Sequence, residues 1–313
     1  MTAHLGEIIS LLVAVSWTAT ALFADEASHR LGSLTVNVIR LVLGSVFLAL
    51  ILWFTIGAPY PRYADGAAWF WLALSALVGY LFGDFCLFNS YLIIGARFGQ
   101  LFMTLAPPMA AIAGWAMLGE TLSWRSILAM VVTISGIAIS ILAKGQGQKV
   151  HFTLPIKGIL LGLGAGAGQG VGLVLSKVGM QHYEAALPVD AVASMDTMMP
   201  FAATMIRAVV GGLGFVMMLL IQRQGRNFLE VTRKDGKGVR YAVLTTLFGP
   251  VIGVSLSLMA VQYARAGIAS TLMALTPVLI ILPYALIHKQ KVKPKELLGV
   301  AVSMLGVAMF FLL

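Results

Sequence analysis

"KGILLGLGAGAGQGVGLVLSK" (157–177) can be read in two ways, and the choice decides the fold. As a turn, GLGAGA (162–167) superficially fits a dinucleotide fingerprint, which requires a strand before it and an acidic partner after it. The chain supplies neither. As a helix, Gly158, Gly162, Gly166 and Gly170 recur every four residues, and so do Gly164, Gly168 and Gly172. That spacing makes two smooth ridges on opposite sides of one helix, which lets neighbouring backbones approach closely. The helical reading holds, with packing as its main purpose. A flexible cavity wall is the functional variant, with Gln169 as its polar group facing Trp17.

The rest of the chain sets that helix in a membrane. Of 313 residues, 59% are hydrophobic and 11% are charged, against about 25% charged in a soluble domain. Mean hydropathy is +0.94. Ten apolar runs, each near the roughly 20 residues that cross a bilayer, fall at about 7–24, 34–56, 67–92, 97–118, 124–143, 157–179, 198–221, 240–263, 269–287 and 295–313. The first begins near Ile8 without a basic leader or cleavage site, so it reads as a span. "GAPYPRYADG" (57–66), "KGQGQKVHF" (144–152) and "QRQGRNFLEVTRKDGKG" (222–238) are loops too short for a soluble domain. The last of these, and "HKQKVKPKE" (288–296), read as a solvated loop and a lipid-facing anchor.

Charge orients the spans and excludes other partners. Fifteen lysines and arginines fall in alternate loops, and only Arg62, Arg125, Lys177 and Arg265 lie in the opposite set. The positive-inside rule then puts both termini outside the cytoplasm. Because the charges behind the net +9 concentrate in loops between apolar runs, nucleic acid is not indicated as a partner. Cys86 is the single cysteine, and the five histidines show no ligand spacing, so no disulfide, metal or cofactor is expected.

The chain also repeats. A shift of 170 residues matches Gly79 with Gly249, Gly83 with Gly253, Pro107 with Pro277 and Gly136 with Gly306. "TVNVIR" (35–40) resembles "AATMIR" (202–207), which pairs Arg40 with Arg207. Two halves of five spans must enter the membrane from opposite sides. Transporters use such inverted repeats, with the substrate site near the midplane.

"GDFCLFNSYLIIGARFGQLFMTLAPPMAAIAGWAMLGETLSWRSILAMVVTISGIAI" (83–139) resembles the repeat unit of the drug/metabolite transporter superfamily, EamA type. So does "GPVIGVSLSLMAVQYARAGIASTLMALTPVLIILPYALIHKQKVKPKELLGVAVSMLGVAM" (249–309). The resemblance implies an all-α polytopic membrane protein of ten transmembrane helices, built as two inverted five-helix repeats around a central cavity. The repeats would span 1–145 and 157–313, joined by a linker at 146–156. Export or exchange of small metabolites is the implied activity. One departure stands out: the first half carries Gly119-Glu120 where the second has Lys289-Gln290.

Candidate residues follow from polarity at depth. Asp84 lies about nine residues from the end of its span, roughly 14 Å deep. A charge at a membrane helix centre costs about 2.5–3.5 kcal/mol on insertion scales. Tyr80 and Tyr91 fall on its face of an α-helix. Asp84 can bind a substrate cation, carry a coupling proton, or form a structural ion pair with Arg40 or Arg97. Arg40 and Arg207 are expected towards opposite sides of the membrane, as two gates or as snorkelling side chains. Pro107, Pro108 and Pro277 should kink the fourth and ninth spans near the midplane. Trp17, Gln100, Thr104, Gln169 and Gln262 add polar or aromatic groups to the substrate set.

These readings converge on a secondary transporter in the cell (inner) membrane. Its substrate is a small amphipathic metabolite, an amino acid or similar compound, given the aromatic set Trp17, Tyr80 and Tyr91. Without a nucleotide-binding motif, a gradient must supply the energy, and Asp84 or Glu120 is the candidate proton carrier; a passive facilitator is the other option. A monomer or homodimer is expected. The rivals are a carrier of nucleotide sugars or lipid-linked substrates, and a non-transporting sensor. An enzyme is not indicated, because no nucleophile–base or metal cluster falls within a span.

Overall fold

A computed structural model describes residues 4–144, 155–279 and 294–312. All regular structure among them is helical. Helix α1 (Leu5–Leu31) and α2 (Ser33–Ile56) form a hairpin about Gly32. The next long run is α3 (Gly66–Ala76), a π-helical segment (Leu77–Asp84) and α4 (Phe85–Met103). Helices α5 (Ala106–Leu118) and α6 (Trp124–Lys144) complete the first half. The second half opens with α7 (Ile156–Ala185), a short α8 (Val192–Met195) and α9 (Met199–Ile221). Then come α10 (Gly225–Lys234), α11 (Gly236–Thr246), a second π-helical segment (Leu247–Val254) and α12 (Ser255–Tyr263). Helices α13 (Ala266–Met273), α14 (Thr276–Leu279) and α15 (Pro294–Leu312) follow.

Six of these runs are long and apolar enough to cross a membrane, and α5, α6 and α15 supply shorter apolar stretches. The expected ninth span starts in α13 and α14 and continues outside the described residues. So do the 146–154 part of the linker, residues 288–293 of the basic anchor, and Lys289-Gln290.

The glycine ridges of α7 pack on two different neighbours. A β-carbon added at Gly164, Gly168 or Gly172 would meet Cys86, Gly83 or Gly79, at 3.0, 2.9 and 2.8 Å. On the other ridge, β-carbons at Gly162 and Gly170 would meet Phe102 at 2.3 Å and the Ala106 carbonyl at 2.4 Å. Numbers rise along α7 as they fall from Cys86 to Gly79, and rise together from Phe102 to Ala106. The first helix of the second half is thus wedged between two helices of the first. α1 is placed the same way in reverse: Gly6 lies against Ala260 and Ala264, Trp17 against Gly253, Thr20 against Gly249 and Leu31 against Gly238. Each half therefore lends its first helix to the other.

The last helices carry the same relationship. Gly136 of α6 lies against Ser303 of α15, and Gly306 lies against Thr133. Numbers rise along one helix as they fall along the other, the register of an antiparallel pair about a two-fold axis.

Three expectations are corrected. Pro107 and Pro108 do not kink a continuous fourth span; the helix ends at Met103 and both prolines sit in the first turn of α5, where a missing N–H leaves no bond unmade. The stretch 222–238 is not simply loop: α10 is an amphipathic helix whose Phe228 and Val231 pack against the cluster around Ala27, Leu31 and Ala242. The sixth span runs on to Ala185, and Lys177, counted above with the loop charges, lies two turns inside the helix.

Candidate functional site

The two π-helical segments begin and end 170 residues apart, Leu77 with Leu247 and Asp84 with Val254. A π turn holds an extra residue, widens the helix and is found most often at functional sites. Here each wide turn is where a borrowed helix crosses. Its carbonyls take hydrogen bonds from the crossing side chains: Ser16 Oγ donates to the Phe248 carbonyl at 2.7 Å, and Gln169 Nε2 to the Gly79 carbonyl at 3.3 Å.

Between the crossings lies a cavity of about 140 Å³. Of the sequence candidates, Trp17, Arg40, Tyr80, Asp84, Tyr91, Thr104, Gln169 and Arg207 all line it. The volume is close to that of an engineered apolar cavity that admits benzene, so a small ring or short chain is the scale of occupant.

Asp84 is fully engaged. Its Oδ2 is ion-paired with Arg40 Nη2, and its Oδ1 accepts from Gln169 Nε2 at 2.7 Å. Arg40 and Asp84 are 6% and 4% exposed, so this is a buried pair whose rupture by loss of one partner costs about 3–5 kcal/mol. The Arg40 guanidinium carbon also lies 5.2 Å from the Phe88 ring centroid and 5.8 Å from that of Tyr80.

Arg207 differs. It is 4% exposed, its guanidinium carbon stands 4.6 Å from the Tyr80 ring centroid, and its Nε, like that of Arg40, has no partner. Among the described residues it forms no ion pair and donates no hydrogen bond. A desolvated cation–π contact is worth about 2 kcal/mol, less than the several kcal/mol that burial of one ion costs. The expectation that Arg40 and Arg207 stand towards opposite sides is therefore corrected. They are the eighth residue of α2 and the ninth of α9, and their long stems bring both guanidiniums to one tyrosine ring.

Two candidates lie elsewhere. Gln262 donates to Asp196 Oδ1 at 3.1 Å, beside a bond from Tyr263 Oη to Oδ2 at 3.0 Å, at an exposed edge away from the cavity. Glu120 stands at the end of the bundle where α1 begins. Gly119, at φ +64°, turns the chain out of α5, and Glu120 Oε1 then accepts from Lys177 Nζ at 2.6 Å. Its Oε2 accepts from the Ala266 N–H at 2.8 Å, the first of α13, an N–H that has no partner within its own helix. Lys177 also donates to the Ala264 carbonyl at 2.7 Å. One carboxylate thus ties α5 to α7 and α13. Lys177 was not singled out from the sequence; the available signal was a lysine two turns inside what proves a 30-residue helix. The side chains of Gln100 and Arg97 lie outside what the structure describes. Among the described residues no three His, Cys, Asp or Glu side chains come together as a metal site.

Known proteins share this architecture. A solved structure titled only "Crystal structure of protein" superposes with a TM-score of 0.70 at 15% identity, covering 98% of this chain and 96% of its own, a likeness of fold alone. No curated protein matches. The model of the EamA-like transporter family matches twice, over residues 4–142 and 156–312. Those two matches span both halves on either side of the cavity, and the chain belongs to the EamA-like transporter family.

Proposed function

We propose that this multi-pass membrane protein is a secondary transporter of ten spans in two inverted halves, which moves a small amphipathic metabolite, an amino acid or similar compound, across the cell (inner) membrane by export or exchange. The observation that carries the reading is the cavity itself. It is mostly apolar but carries two arginines and an aspartate, and it sits where each half's first helix crosses the other half. Rocking one half on the other opens such a site to alternate sides. The Glu120–Lys177 tie closes one end of the bundle, so it serves as the gate there. Asp84 already holds Arg40 and Gln169, which favours proton coupling over capture of a substrate cation: protonation would break the ion pair with Arg40 and weaken the bond from Gln169. The cavity volume argues against a nucleotide sugar.

The test is uptake and efflux of a labelled metabolite panel in proteoliposomes, with and without an imposed pH gradient, for wild type and Asp84→Asn. We expect at least one compound to move, and Asp84→Asn to lose gradient-driven accumulation while counterflow exchange persists. No movement by folded wild type would count against transport. Gradient-driven uptake unchanged in Asp84→Asn would remove Asp84 as the coupling group.

A further inference from the structure

We propose that Arg207 is the docking point for a substrate carboxylate, so that the cavity selects monoanionic amphiphiles: one carboxylate on an apolar body. The inference rests on the transport reading for what the site is for, and narrows its substrate from an amino acid to a similar acid without the ammonium group.

Four observations lead to it. First, the wall carries two guanidiniums and one carboxylate, Arg40, Arg207 and Asp84. Second, that carboxylate is spent, one oxygen on Arg40 and the other on Gln169. Third, Arg207 is more than nine-tenths buried, lines the cavity and has an Nε without a partner. The position that would pair it by the 170-residue repeat is Val254, which also lines the cavity but carries no charge. Fourth, the guanidinium packs against Gly79, where a β-carbon would sit only 3.1 Å from Arg207 Nη2, so the missing side chain is what lets the charge stand at the cavity wall. A buried guanidinium without an acceptor is satisfied best by an anion with two coplanar oxygens, the geometry of a carboxylate. Leu87, Leu173 and Met273 line the same cavity and offer apolar surface to the body of the ligand. No free carboxylate remains for an ammonium group, so the anion and not a zwitterion is what the wall complements.

Binding to the purified full-length protein in detergent tests this apart from transport. The probes are 3-phenylpropionate, its amide and phenylalanine, which share one body; hexanoate with hexanamide; and inorganic phosphate. At least one acid should bind wild type tenfold or more tightly than its amide, and phenylalanine no more tightly than 3-phenylpropionate. Arg207→Gln should abolish the acid–amide difference without lowering the unfolding midpoint, since it removes an unpaired buried charge. Arg207→Lys should retain part of the preference and guards against a folding defect. The proposal is overturned if acids and amides bind alike, if Arg207→Gln keeps the preference, if phosphate is the only anion that binds, or if phenylalanine wins by tenfold. An acid that binds through Arg207 but never crosses a proteoliposome membrane sinks the transport reading and leaves the site. A metabolite that crosses with no Arg207 dependence does the reverse.

Discussion

Where α7 crosses the first π-helical segment, backbone meets backbone: Gly168 lies on Gly83 and Gly172 on Gly79. Where α1 crosses the second, side chains fill the same gap, Trp17 against Gly253 and Thr20 against Gly249. The wide turn is common to both, but its free carbonyls are satisfied differently. Phe248 accepts a hydroxyl from Ser16, whereas the equivalent Val78 carbonyl faces Gly168, with no room for a side chain between them. The charges diverge further. The first segment ends in Asp84, which pairs Arg40; the second ends in Val254, and Arg207 goes without. Duplication thus produced two equivalent crossings, and a single carboxylate separates a closed ion pair from an open anion site.

Making the first crossing like the second should have the largest effect. Asp84→Val leaves Arg40 buried beside Arg207 with no carboxylate between them. We expect a loss of about 3–5 kcal/mol in denaturant unfolding of the purified protein. The converse change, Val254→Asp, sets a carboxylate at the symmetry-related position near Arg207. It should occupy the guanidinium and weaken carboxylate binding by at least tenfold. Unchanged binding in Val254→Asp would show that the two crossings differ in more than charge.

Steric contrast comes next. Gly172→Ala drives a β-carbon to 2.8 Å from Gly79 Cα, which is backbone and has little freedom to move. Overpacking of this kind costs about 1–3 kcal/mol, against a helix-propensity gain of about 0.5–1 kcal/mol. Gly249→Ala meets only the tip of Thr20 at 3.3 Å, so we expect a change within about 0.5 kcal/mol. Paired unfolding curves in one detergent would settle it; equal costs would mean the crossings are equally tight.

Much of this was legible in residue order, for definite reasons. Glycines four apart define a helix ridge whatever the surroundings, so both faces of α7 could be read before their partners were known. The 170-residue shift is clearest at Gly136 and Gly306, where an added β-carbon would meet neighbouring backbone at 2.2 and 2.5 Å and no side chain fits. The π turns were not legible, because Gly79–Gly83 spacing looks the same in an α-helix. Nor was the convergence of Arg40 and Arg207, since depth counted along straight helices locates Cα atoms and not the tips of long stems. Gln262 misled because a polar residue near a helix end can turn outward, as it does to Asp196. Lys177 was hidden because it was counted with the loop charges, although it fell inside the sixth span.

The smallest effect belongs to a comparison of carboxylates. Asp84 meets Arg40 in the buried cavity; Asp235 meets Arg30 at the exposed end of α1, with Arg30 Nη1 3.2 Å from its Oδ2. Asp235 also caps α11, accepting from the Gly238 N–H at 3.0 Å. That N–H first, and Arg30 second, hold its carboxyl below the usual carboxylate range. A carboxyl lowered on folding contributes stability that is present above its unfolded value, near 3.9, and is lost as pH falls through the lower folded value. Asp235→Asn keeps a capping oxygen but gives up the charge, so it should lower the unfolding midpoint at pH 7 only slightly. Below about pH 4, wild type should lose its small advantage over Asp235→Asn. If Asp235→Asn fell at pH 7 as far as a variant of Asp84, the solvent-screened pair would be doing structural work that its exposure argues against.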